Sequence, residues 1–224
     1  MIPEKMYEHL VTMIYEHDPD LATHIVTHPF EYCDSSWPFY SAAANLLIDC
    51  RIRMDKAQSS ATTVSAVKRI CKEAMASVKP SLHGMFYQAG YYVICDGYRI
   101  LRLKDELMCL PHLDPKATPP DCDKIIKAEL PYATLELQLP DMADLKCYLA
   151  RWRATLGKNN PIALALLPEE LFVNPQYLLD MMQALPGARA YVNPDRLGKG
   201  MIYFKADNGD GVLLPVNPNG ARTL

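Results

Sequence analysis

The sequence predicts an α+β fold: a small helical unit over residues 1–60, then one domain over residues 61–224 made of two helix-plus-strands halves. Three observations carry that expectation. Residues 1–58 place apolar side chains at helical spacing. The order helix, strand, strand, strand occurs near 63–103 and again near 175–216. Between the two copies, residues 104–131 hold five prolines and read as a long loop.

The elements follow in order. Residues 3–16 carry Met6, Leu10, Met13 and Ile14 on one helical face, with Pro3 suited to the first turn. A short helix at 20–27 and a longer one at 38–56 complete the first unit. Residues 63–79 form an amphipathic helix with Val64, Val67, Ile70, Cys71, Ala74, Met75 and Val78 on one face, ended by Pro80. Three β-like runs come next, LHGMFYQ, YYVICD and YRILRL, punctuated by Ala89-Gly90 and Asp96-Gly97. Residues 132–139 alternate as a strand. Asp141 caps an inserted helix at 142–156 with Met142, Leu145, Leu149 and Trp152 inward. The run IALALL is a strand, and Asn174 and Pro175 open a helix that Pro186-Gly187 stops. The runs ARAYVN, GMIYFKA and GVLLPV close the second half, with a hairpin turn at 208–211.

Composition bounds the function. Half the residues are apolar, enough for a substantial core, and the formal net charge of −3 argues against a wholly basic nucleic-acid binder. It leaves room for a local basic face. No apolar run approaches a membrane span, and the first residues lack the pattern of a secretory leader, so the sequence points to a cytoplasmic protein with seven reduced cysteines. No Gly-x-Ser-x-Gly, phosphate-binding loop or dinucleotide fingerprint occurs. His24 and His28 stand four apart without a third ligand, so no metal site or cofactor is expected. The residues point to a non-enzyme.

Two stretches carry a family resemblance. Residues 79–103, KPSLHGMFYQAGYYVICDGYRILRL, resemble the middle-domain motif of the bacterial DNA sliding clamp, the β subunit of DNA polymerase III, where a strand pair ends in Thr-Asp-Gly-(His/Tyr)-Arg-Leu. Here Cys95 stands for the threonine and Ile100 for the leucine. Residues 173–187, VNPQYLLDMMQALPG, with GVLLPV at 211–216, resemble the last clamp domain's helix and terminal strand. The resemblance spans about residues 63–217, the length of one of the three domains in a clamp protomer.

That resemblance implies a processivity factor of DNA replication, with duplex DNA and clamp-binding peptides of polymerases as partners. Because one domain spans only part of a ring, it also implies a homo-oligomer. It makes Gly97, Tyr98, Arg99, Leu101, Leu214, Pro215 and Val216 candidates for a peptide-binding groove. Clamps turn helices toward DNA, which makes Lys68, Arg69, Lys72 and Lys79 candidates for phosphate contacts, joined by Lys146, Arg151, Arg153 and Lys158 of the inserted helix. Two other readings stand beside it: a protein–protein adaptor with the clamp fold and no DNA, and a thiol-dependent enzyme using Cys95 or Cys109.

Overall fold

The computed structural model describes residues 3–156, 162–166, 171–196, 200–217 and 222–223. Lys158 lies outside them. The fold is α+β, and the chain divides into two compact units. The first comprises residues 1–64 and 107–111, the second residues 65–106 and 112–224. Among the described residues no helix is long and apolar enough to cross a membrane.

The first unit is helical: α1 (Pro3–His17), α2 (Pro19–Thr27) and α3 (Pro38–Gln58). Asp18 caps α2 by accepting from the Leu21 amide at 3.1 Å. Ile14, Ala22, Ile25, Ala43 and Leu47 form the core. The unit is not a continuous segment. The buried Asp55 carboxylate accepts from the Met108 and Cys109 amides at 3.0 and 2.7 Å, drawing residues 107–111 out of the expected linker.

The helix α4 (Ala61–Met75) is shorter than periodicity predicts. The Ala76 amide is shared between the Lys72 and Glu73 carbonyls, and Ser77 bonds Ala74, which tightens and closes the last turn. Val78 is therefore off the helix and 95% exposed instead of joining the core face.

In the second unit, seven strands form one sheet. They are β1 (Phe86–Gln88), β2 (Tyr91–Cys95), β3 (Arg99–Leu103), β4 (Leu135–Leu137), β7 (Arg189–Val192), β8 (Ile202–Ala206) and β9 (Gly209–Leu213), ordered β1-β2-β3-β9-β8-β7-β4. A three-stranded sheet holds β5 (Ile162–Leu166), β6 (Leu171–Val173) and β10 (Arg222–Thr223). The helices α6 (Met142–Leu156) and α7 (Pro175–Ala184) complete this unit with α5 (Cys122–Glu129), which lies inside the segment read as a proline-rich loop. Asp121 caps α5 by accepting from the Lys124 amide, and Cys122 and Ile126 drop into the core. The hairpin between β8 and β9 turns at Asp207-Asn208, two residues earlier than the centre of the expected turn at 208–211, because Ala206 pairs with Gly209.

The two halves meet at β3 and β9, paired antiparallel from Arg99↔Leu213 to Leu103↔Gly209. A constant offset of 110 residues relates the two hairpins: it carries Tyr92↔Leu103 onto Ile202↔Leu213 and Cys95↔Ile100 onto Lys205↔Asp210. The same offset carries Leu101 onto Gly211, and these two residues face each other across the seam. The hairpins are thus related by a pseudo-twofold axis through that pair. A matched pair of hydrogen bonds obeys it: the Leu214 amide donates to the Tyr98 carbonyl at 2.9 Å, and the Lys104 amide to the Asn208 carbonyl at 3.0 Å.

Candidate binding site at the sheet seam

The Asp96-Gly97-Tyr98-Arg99 segment is built by its own side chains. Gly97 sits at φ +90°, where only glycine is unstrained. The Asp96 Oδ1 accepts from the Tyr98 and Arg99 amides at 2.8 and 2.7 Å, an Asx turn that fixes the strand entrance. Its Oδ2 accepts from Arg99 Nε at 2.7 Å.

Arg99 then reaches two helices. Its guanidinium donates to Asp180 Oδ2 of α7 at 3.0 Å and to Glu73 Oε2 of α4 at 2.8 Å, and stacks 4.0 Å from the Tyr177 ring centroid. Asp180 also accepts from Arg69 Nε and Gln176 Nε2, and Arg69 bonds Gln183. Burial raises the Glu73 carboxyl above its ordinary range, partly opposed by Arg99. Burial, with Glu73 beside it, pushes the Tyr177 phenol up to about 12. Buried charges persist only when paired this fully.

A second knot lies on the opposite face of the sheet. Arg102 of β3 grips its cross-strand partner Asp210 with Nε and NH2 at 2.6 and 2.5 Å, bonds Asp123 of α5 at 3.0 Å, and lies over the Tyr91 ring. The Tyr203 hydroxyl donates to Asp210 at 3.0 Å, and that burial and charge raise its phenol pKa. The seam is therefore ion-paired on both faces.

These contacts correct two candidate assignments. Arg99 is enclosed, with its guanidinium committed to three carboxylates, so it offers a passing peptide nothing. Leu101 is fully buried under the helices and lines no groove. The other five candidates reach the surface, and both segments arrive at one place. Tyr98 is 57% exposed, with its ring 5.8 Å from that of Tyr177. Leu214 is joined to Tyr98 through the backbone, and beyond it the Val216 amide donates to the Phe172 carbonyl at 2.8 Å. Gly97, Pro215 and Val216 are at least partly exposed beside them. Sequence reasoning missed Tyr177, Asp180 and Glu73. The first two sit in the quoted VNPQYLLD run, and their spacing from Asn174 on a capped helix was the available signal.

The cations divide. Arg69 is neutralised by Asp180, which removes it from the set offered to phosphates. Lys79 follows the helix end and shares no face with Lys68 and Lys72. Lys72, Lys146, Arg151 and Arg153 are exposed, and Lys68 is half-buried. Arg69 of α4 and Arg153 of α6 both bond side chains of α7, through Asp180 and Gln176, so two cation-bearing helices border a helix that has none.

The thiol candidates are interior. Cys95 is 7% exposed and Cys109 1%. A hydrogen bond with Cys122 draws Cys95 below the ordinary thiol range, while the same bond and burial push Cys122 above it. Among the described residues no group of three potential ligands is placed to hold a metal, and the His24 and His28 rings stack 4.7 Å apart, with His24 bonded to the Tyr32 hydroxyl.

No family model, curated protein or solved structure matches the chain.

Proposed function

We propose that the chain is a non-catalytic accessory protein of the sliding-clamp type, and that it captures short apolar peptide segments, such as those of polymerases, at Gly97, Tyr98, Tyr177, Leu214, Pro215 and Val216. The observation that carries this reading is an asymmetry between pseudo-equivalent ends. The 110-residue offset carries Tyr98 onto Asn208 and Lys104 onto Leu214, so the two ends share one backbone arrangement. Only one of them presents an aromatic and a leucine to solvent. Exposed aromatic and aliphatic anchors on a backbone held by buried ion pairs suit a peptide hot spot.

The test is fluorescence anisotropy with a labelled hexapeptide bearing two leucines and a phenylalanine. Tyr98→Ser combined with Leu214→Ser weakens capture about 30-fold, the scale of losing roughly 2 kcal/mol of anchor contact. Equal affinity of the native chain and this double variant refutes the site.

A second reading, non-specific binding of duplex DNA, is favoured by the exposed cations on α4 and α6, the two helices that border α7, which carries no lysine or arginine. Such binding is strongest at low salt, and each lysine removed lowers the salt slope by about 1. Lys72→Gln with Lys146→Gln is expected to lower it by about 2, as measured by anisotropy of a labelled duplex between roughly 25 and 200 mM salt. No binding at the lowest salt leaves the peptide adaptor alone. Ring formation by several copies, with cytoplasmic replication as its setting, belongs to this second reading.

A further inference from the structure

At the pseudo-equivalent end, away from Tyr98, a cavity of about 310 Å³ opens between the turn after α7 and the β8–β9 turn. Pro186, Gly187, Arg189, Tyr191, Lys205 and Asp207 line it. Arg189 of β7 and Lys205 of β8 are directly opposed partners in the antiparallel register. Like charges at such positions repel, and sheets ordinarily place an acid there. Both side chains are exposed, and neither forms an ion pair with a described residue. The same row of the sheet continues to Asp210 and Arg102, but there the pairing is complementary and saturated. Lys205 also faces Asp210 on its other side, but that carboxylate is held by Arg102 and Tyr203, so neither Arg189 nor Lys205 has an ion-pair partner among the described residues, in a hollow large enough for a small ligand.

We propose that this cavity is an anion site for a phosphate monoester. The dianion sits between the Arg189 guanidinium and the Lys205 ammonium, with the Tyr191 hydroxyl as a neutral donor. Two cations match the charge of a monoester near neutral pH, and guanidinium geometry suits two phosphate oxygens. The Asp207 carboxylate would repel a bare anion on its side. It suits instead a hydroxyl on the ester's alcohol, which makes a sugar phosphate or nucleoside monophosphate the fitting class. This site is independent of the peptide surface and is not part of the proposed clamp-type function.

The test uses the full chain and isothermal titration with ribose 5-phosphate, inorganic phosphate and ribose. Ribose 5-phosphate is expected to bind saturably and more tightly than inorganic phosphate, with ribose silent. Arg189→Gln and Lys205→Gln, both surface changes, each weaken binding about tenfold, as expected for loss of one charge-assisted contact. Arg189→Gln, which removes the repulsion and leaves Lys205 opposite Asp210, also raises the melting temperature without ligand, and abolishes most of the stabilisation that ribose 5-phosphate gives the native chain. The proposal is overturned if no saturable heat appears up to about 10 mM, a range that covers even weak millimolar sites. It is equally overturned if both variants bind like the native chain, or if an unphosphorylated DNA duplex binds these two cations while ribose 5-phosphate does not.

Discussion

Replacing Arg99 with methionine lowers the unfolding free energy of the second unit by about 3–5 kcal/mol, the cost of breaking buried ion pairs and leaving the Asp96 carboxylate without its cation. Asp96 and Asp180 are both buried, and Arg99 is the residue that joins them. Methionine fills much of the aliphatic volume, so the loss reports charge rather than a cavity. Urea unfolding followed by the buried Trp152, in a Trp37→Phe background, isolates this unit. A cycle with Asp180→Leu adds a sharper expectation. The double variant loses less than the sum of the single ones, because the Arg99–Asp180 bond is lost in each single variant and can be lost only once. Strict additivity would mean that the two side chains do not meet.

Gly211→Ala is expected to be as severe, about 3 kcal/mol or more, from overpacking against the paired backbone of β3. A Cβ at this position would overlap the Ile100 carbonyl oxygen of β3 and lie 2.7 Å from the Met181 methyl of α7. The Met181 methyl, at the end of a flexible side chain, can turn aside, but the backbone of β3 would have to retreat from the seam. Gly187→Ala provides the contrast. Its Cβ meets no neighbour, though φ of +72° still strains it by about 1 kcal/mol. Thermal unfolding of the two variants side by side tests the ranking. A Gly211→Ala protein as stable as the native one would place β9 elsewhere.

Much of this was legible in the sequence, for local reasons. Alternation and the Asp-Gly turn marked the β2–β3 hairpin, and Asn174-Pro175 marked the start of α7. The doubled element order placed both halves. Three features were not legible. The segment holding α5 was masked by its prolines, although Asp121 and an apolar pair four apart at Cys122 and Ile126 fit a short capped helix. The register between β3 and β9 joins residues about 110 apart, and no local pattern encodes that.

Arg99 was misplaced for a related reason. Periodicity exposes a strand arginine when one face of the sheet meets water, but every residue of β3 is buried. Two arginines in a strand covered on both faces require acids from elsewhere. Asp96 was near enough in sequence to suggest one of them. Asp180 and Asp210 were not.

The direct test is the seam itself. In a nuclear Overhauser spectrum of the labelled chain, the Hα of Leu101 and the Hα protons of Gly211 should give a strong cross-peak, since opposed residues of a non-hydrogen-bonded antiparallel pair bring their Cα atoms to about 4.5 Å. Cross-peaks within the β2–β3 and β8–β9 hairpins accompanied by none across Leu101 and Gly211, or by a register displaced from that pair, would contradict the pseudo-twofold pairing of the two halves.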